Sequence, residues 1–322
     1  MTTTDTPNTP HTTITPTSAT HTTKPFASPV DTAVFGTYRA ANPSPRRGIE
    51  RPFYPFQGRI GAPGSSPFGA EPGRYHLYVS YGCPWAQITS IVRAAKGLAD
   101  VVTTSYVDEE RDGRGWAFRE RFGADPVNGF LLLREAYEAT EPGYDGHISV
   151  PALWDRSTSA LVSNDFAVIP VDLATGFDRW ANGTDLYPAA LRPEVDAFGA
   201  RIAAEARAGG LTDGANALAA HEARLGERPF VHGESLTLSD IRLWVTLIRF
   251  ETTYRAAIDH DGRALPDWPN LWAYTRRLFA RPEFASTTDL GVLREHRERV
   301  LADASPRVRD AAARREEAWA RG

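Results

Sequence analysis

The chain has 322 residues, a formal net charge of −4 at pH 7, 42% hydrophobic and 24% charged residues, the profile of an ordinary folded chain long enough for two domains. Its basic residues are scattered, which excludes the clustered electrostatic footprint of a nucleic-acid binder. The one cysteine, Cys83, excludes an intrachain disulfide and a Cys-X-X-Cys redox pair, and no run of about 18 or more apolar residues suggests a membrane span.

In chain order, residues 1–30 form a Thr/Pro-rich tract with little to bury and are expected to be disordered. The tract lacks the basic and apolar regions of a signal peptide, so the expected compartment is the cytoplasm. Residues 31–74 mix Pro and Gly with isolated aromatics (Phe35, Tyr38, Phe53, Tyr54, Phe56) and read as an irregular arm laid on the core. From Tyr75 the pattern predicts a strand over 75–80, a helix over 84–96 and a strand over 101–106. An insertion carrying Trp116 follows, then strands over 150–154 and 161–163 and a helix over 164–173. Beyond about residue 176, helices are expected over 189–208, 216–225, 238–256 and 268–280, with a charged C-terminal segment after them. The expected division is therefore a tail (1–30), an arm plus α/β domain (31–175) and an all-helical domain (176–322). One helix start is well marked: Thr237 and Asp240 form an acidic variant of the capping box, and Leu236 and Ile241 are spaced as a hydrophobic staple. Ile241, Trp244, Val245 and Ile248 then recur at helical spacing, so that face is buried and Asp240 is read as structural.

The chemistry concentrates at Cys83, in Tyr-Gly-Cys-Pro-Trp-Ala between the first strand and its helix. Proline is favoured at the first helical position, which puts Cys83 at the N-cap. The unpaired N–H groups and positive dipole end there favour a sulfur anion, and such settings bring a thiol of pKa roughly 8.5 down to roughly 3.5–7.5. An ionised thiol is therefore expected. A lone cysteine is otherwise most often a small buried hydrophobe; its place at the junction of strand and helix argues for the nucleophile.

These residues resemble the Xi-class glutathione transferases, the glutathionyl-hydroquinone reductases. The resemblance runs through Glu71-Pro72-Gly73-Arg74-Tyr75-His76-Leu77-Tyr78-Val79-Ser80, Cys83-Pro84-Trp85-Ala86, Gly115-Trp116-Ala117-Phe118 and Ser149-Val150-Pro151-Ala152-Leu153-Trp154-Asp155. It continues through Asp185-Leu186-Tyr187-Pro188 with Leu191-Arg192, then Asp240-Ile241-Arg242-Leu243-Trp244 and Thr246-Leu247-Ile248-Arg249-Phe250, covering roughly residues 50 to 300. It implies a glutathione-transferase fold, α/β plus all-α, with an N-terminal thioredoxin-like domain and a C-terminal helical domain, in a homodimer. It also implies a cis Val150–Pro151 bond facing the nucleophile, with the Val150 backbone binding the cysteinyl amide of a small thiol. The implied reaction is attack of Cys83 on the sulfur of a thiol–hydroquinone conjugate, leaving a mixed disulfide that a second thiol resolves; the alternatives are thiol conjugation and a non-catalytic binding protein on the same fold.

Around that centre the residues leave choices open. Trp85 is core or pocket wall. Trp116, in the insertion Arg111-Asp112-Gly113-Arg114-Gly115, either stacks on a quinol ring or pins its loop. Where glutathione-using members carry Asn-Asn-Glu-Ser for the γ-glutamyl group, this chain has Ser163-Asn164-Asp165-Phe166; Asp165 is one methylene short, Phe166 has no hydroxyl, and Asp165 serves equally well as a cap. Gln87-Ile88 replaces the family's His-Arg. The stretch from Glu205 to Asp213 lacks the family's Tyr-containing segment, and His296 is followed by Arg297 and Glu298 in place of tyrosines expected to protonate or hold the leaving hydroquinone. Lys24 and Lys96 are the only lysines; this bias toward arginine is that of GC-rich coding and admits mycothiol, the small thiol of actinobacteria, beside glutathione. Asp108-Glu109-Glu110 reads as a solvated charge run, and the eight histidines show no metal-ligand spacing, so no metal is expected.

Overall fold

The structure, a computed structural model, describes residues 26–39, 54–61, 66–207, 214–250 and 265–301. Most of the expected tail therefore lies outside the described residues, as do positions 208–213 and 251–256. The arm contributes α1 (Thr32–Phe35) and the short parallel pair β1 (Ile60–Gly61) and β2 (Phe68–Gly69). The sheet half follows as β3 (Tyr75–Val79), α2 (Pro84–Ala95), β4 (Val102–Tyr106), α3 (Arg134–Thr140), β5 (Ala152–Asp155), β6 (Ala160–Ser163) and α4 (Ile169–Thr175). The helical half is α5 (Arg192–Arg207), α6 (Gly214–Glu227), α7 (Leu238–Arg249), α8 (Pro269–Phe279), α9 (Pro282–Ala285) and α10 (Leu290–Leu301).

The main sheet runs β4-β3-β5-β6, with β3 parallel to β4 and antiparallel to β5, and β5 antiparallel to β6. This is the thioredoxin-like order that the resemblance implies. Every residue of β3 is buried, as a central strand covered on both faces requires. Helix α2 packs on α4 and, across the two halves, on α7. At its far end the buried Lys96 ammonium donates to Asp178 at 2.6 Å and to the Thr184 carbonyl at 2.8 Å, tying α2 to the connection between the halves.

Three element starts differ from the expected ones in ways that bear on the site. The third strand begins at Ala152, not at residue 150; the Val150–Pro151 bond preceding it is cis. The helix expected from residue 164 begins at Ile169. The Asn164 side chain is spent on the Phe56 N–H (3.2 Å) and the Ser149 hydroxyl (3.3 Å), while the Asp165 carboxylate accepts the Ala167 N–H at 2.8 Å in a turn ahead of the helix. Residues Ala189–Leu191, expected as the start of a long helix, form a 3₁₀ turn closed by the Leu191 N–H on the Pro188 carbonyl, and α5 starts at Arg192. The capping box is present: the Asp240 carboxylate accepts the Thr237 N–H (2.8 Å) and hydroxyl (2.9 Å), and also the Val231 N–H (2.8 Å).

The described parts of the arm lie on the core. Gly58 donates to Val162 and Asn164 to Phe56, so the arm runs along β6. Residues 26–39 are clamped on the loop after β4: buried Asp112 accepts the Asp31 N–H and holds the Arg114 guanidinium, which lies 3.8 Å from the Phe35 ring centre. Gly113 has no substitute there, because a Cβ would stand 2.0 Å from the Phe35 carbonyl oxygen.

Candidate active site

Cys83 is the N-cap of α2, extended at φ −79° and ψ 118°, with Pro84 opening the helix. Its carbonyl accepts the Gln87 N–H at 3.0 Å, its N–H donates to the Ser80 hydroxyl oxygen at 3.2 Å, and its Sγ donates to the Val150 carbonyl at 3.4 Å. The structure thus puts the Cys83 sulfur against the residue that precedes Pro151.

The segment from Ser80 to Cys83 is held from both sides. Glu109, on the loop after β4, accepts the Ser80 hydroxyl at 2.7 and 2.9 Å on its two oxygens and the Gly82 N–H at 2.9 Å. Arg249, at the end of α7 and fully buried, donates to the Tyr81 carbonyl at 3.0 Å and also bonds the Gln87 side-chain oxygen. A carboxylate takes the donors of the loop and a guanidinium takes its acceptors. Gly82 permits this approach, since a Cβ would lie 2.5 Å from a Glu109 oxygen. Glu109 is therefore not part of a solvated run: the residue is half-buried, and burial pushes its carboxyl above the usual range against the pull of the Gly82 N–H, Ser80 and Arg111.

The electrostatics correct the expectation of an ionised thiol. Burial pushes the half-buried Cys83 thiol above its ordinary value; the Ala86 and Trp85 N–H groups and the Arg249 charge pull it down, and the Glu109 charge pushes it up. The helix terminus acts in the expected direction and burial outweighs it.

Of the remaining predicted residues, Trp85 forms wall: its ring stacks on Phe166 with centroids 4.3 Å apart, and Tyr54 meets Phe166 edge-on. A cavity of about 350 Å³ opens beside this stack, lined by Trp85, Ile88, Phe166, Asp196, Ala203 and Arg242. Trp116 is buried and lies under Arg111, whose guanidinium sits 4.1 Å from its ring centre and 4.0 Å from that of Tyr38. The pinned-loop alternative thus describes its packing, and the charge it supports is Arg111. Asn164 and Asp165 lie beside the site with side-chain bonds to the fold itself. Gln87, where the family has histidine, donates to the Thr288 hydroxyl at 2.8 Å and bridges the two halves.

Sequence reasoning missed Glu109, Arg111 and Arg249. Arg249 was visible only as a charge ending a helix face that must be buried, and nothing local marks Glu109. Among the described residues no group of three or more His, Cys, Asp or Glu is placed to hold a metal ion, and no helix is long and apolar enough to cross a membrane.

Comparison with known proteins agrees with this geometry. Residues 204–277 match the family model of the glutathione S-transferase C-terminal domain. The glutathionyl-hydroquinone reductase YqjG of Escherichia coli is 34% identical over 258 residues, covering 74% of this chain and 79% of that protein. Its glutathione-bound structure superposes with a TM-score of 0.71 at 33% identity, covering 79% of this chain and 90% of that one. The Xi-class transferase of Natrialba magadii gives a TM-score of 0.71 at 32% identity, covering 79% and 83%. With a thioredoxin-like half presenting one cysteine to a helical half, and with relatives this similar over most of its length, the chain belongs to the glutathionyl-hydroquinone reductases, the Xi class of the glutathione transferase enzymes.

Proposed function

We propose that Cys83 performs the thiol-dependent reductive cleavage of S-conjugates of quinol-type aromatics. The observation that carries this reading is the half-buried Cys83 at the head of α2, its sulfur 3.4 Å from the Val150 carbonyl. Once deprotonated, the sulfur attacks the conjugate's sulfur. The S–S bond forms as the aryl C–S bond breaks, the electron pair goes to the aryl carbon, and a proton taken up there gives the free hydroquinone. A second small thiol then attacks the mixed disulfide and releases Cys83, so one protein cysteine is enough. The α2 N–H groups and Arg249 favour the thiolate in both steps, and the Val150 backbone binds the cysteinyl amide of the small thiol.

The small thiol is glutathione or mycothiol. Phe166 stacked on Trp85 puts an aromatic face where a hydroxyl would meet a γ-glutamyl group, and Asp165 bonds its own turn; mycothiol, with no γ-glutamyl group, needs neither. Trp116 bears on the substrate through Arg111. On this reading the enzyme works in the cytoplasm as a homodimer, as its class implies.

The test is intact-mass analysis of the protein after incubation with glutathione disulfide or mycothiol disulfide, beside assays of hydroquinone release from the corresponding conjugates. One small-thiol adduct is expected, absent in Cys83→Ala, and the thiol that forms it identifies the conjugate that is cleaved. Cleavage retained by Cys83→Ala, or no adduct with either disulfide, refutes the mechanism.

A further inference from the structure

The protein has one cysteine and hence no second thiol to trap a sulfenic acid on the first. For such a group, ionisation ahead of substrate binding is a hazard, because oxidation follows thiolate character. With hydrogen peroxide, the thiolate attacks one oxygen; an S–O bond forms as the O–O bond breaks, hydroxide leaves, and sulfur loses the two electrons that peroxide gains. A helix N-terminus and the Arg249 cation beside Cys83 both push toward that thiolate.

The opposing group is Glu109. Both its oxygens receive the Ser80 hydroxyl, one also receives the Gly82 N–H, and the same Ser80 oxygen accepts the Cys83 N–H at 3.2 Å. The carboxylate is thus fixed one hydrogen-bonded residue from the nucleophile's backbone, in a half-buried place where a charge acts more strongly than in water. We propose that Glu109 is a positioning residue for Cys83: it sets the nucleophile loop through Ser80 and Gly82, and its negative charge works against ionisation of the resting sulfur, which slows its oxidation.

The surrounding charges are few enough for the sign to be clear. Cys83 is faced by the Trp85 and Ala86 N–H groups of α2, by Arg249 of α7 and by Glu109. Arg111 acts on both Glu109 and Cys83, Arg299 of α10 acts on Glu109, and His147 and His296 face Arg111. Glu109 is the only anion acting on Cys83 among these groups. Removing its charge leaves burial opposed by cations and N–H dipoles that favour the thiolate.

The inference rests on Cys83 being the reactive group of the proposed function, but its test reads the thiol and needs no turnover. Cys83 of the full-length protein is alkylated with iodoacetamide across pH, and its loss to hydrogen peroxide is followed by mass, in wild type, Glu109→Gln, Glu109→Ser and Glu109→Asp. Both neutral variants are expected to lower the alkylation midpoint by about half a pH unit, which gives about threefold more thiolate at pH 7 and, with the weaker nucleophile, alkylation and oxidation roughly twofold faster. Their rate at the high-pH plateau is expected to fall, because a more acidic thiol gives a weaker nucleophile. Glu109→Asp keeps the charge and stays near wild type. Ser leaves room for water to serve Ser80 and Gly82, so it stands in if Gln does not fold. An unchanged or raised midpoint in the neutral variants, or an equal shift in Asp, overturns the proposal; loss of the small-thiol adduct with these shifts intact overturns the reductase reading alone.

Discussion

Arg249 and Glu109 act on the same short segment with opposite charges, and the consequences of losing each differ. Arg249 is buried at the contact between the halves, bonding the Tyr81 carbonyl, the Gln87 side chain and, at 3.5 Å, the Gly82 carbonyl. Replacement by Met fills the stem's volume but strands those acceptors away from water, at a cost of about 3 kcal/mol in unfolding free energy. It also removes a cation that favours the thiolate, so the Cys83 alkylation midpoint rises, opposite to the effect of neutralising Glu109. Urea denaturation and iodoacetamide titration of Arg249→Met read the two effects separately; a lowered or unchanged midpoint would show that Arg249 only packs the interface. The Trp85–Phe166 stack is different in kind, since it adds on the order of 1 kcal/mol of aromatic contact and shapes the wall of the cavity without bearing on the charge of the sulfur.

The elements that carry the site follow local rules to different degrees. Helix α7 is the clearest: the Asp240 carboxylate gathers the Thr237 N–H and hydroxyl, the Val231 N–H and the Tyr274 hydroxyl at 3.0 Å, pinning the helix start to α8. Asp240→Ala is expected to lose about 3 kcal/mol of stability by denaturation while the Cys83 alkylation profile of the folded fraction stays as in wild type; a shifted profile would give Asp240 a role in the chemistry. That helix and the junction of β3 with α2 were legible because their signals are local: a capping pair, an apolar face, a proline at the first helical position. The start of α4 was not. Asp165 suits a cap, a first turn or a ligand contact, and the turn it makes with Ala167, together with the bonds of Asn164 to Ser149 and to Phe56, 108 residues away, holds the chain out of the helix there. The loop clamp was invisible for the same reason, since Glu109 meets its partners 27 and 29 residues away and Arg249 meets Gln87 across 162. Cys83 could be picked out from its neighbours in sequence; the balance of charge around it could not.

At the scale of the whole molecule, acid acts on each half through a buried imidazole. In the sheet half, His76 of β3 is held between the Thr103 and Ser105 hydroxyls at 2.6 and 2.9 Å. Burial first, then the charges of Arg156 and Arg93, push it down to about 3. In the helical half, His221 of α6 is 2% exposed, neither ring nitrogen has a hydrogen-bond partner among the described residues, and burial with Arg201 and Arg224 pushes it down to about 4. Both stay neutral in the folded chain at a pH where the unfolded chain, with histidine near 6.5, has taken up protons. The unfolded state then binds more protons, so stability is fully present above about pH 6.5 and is lost as pH falls toward 4 and 3. Each histidine contributes a slope of roughly 1.4 kcal/mol per pH unit in that window. Urea unfolding at intervals between pH 7 and pH 5, above the range of ordinary carboxylates, should show the decline, and His221→Leu, which suits the apolar contact with Phe198, should remove the share of the slope that His221 carries, roughly 1.4 kcal/mol per pH unit. A variant that kept the wild-type slope would mean that His221 is already protonated in the folded protein or that the helical half opens before it titrates, and acid sensitivity would then belong to the sheet half and His76.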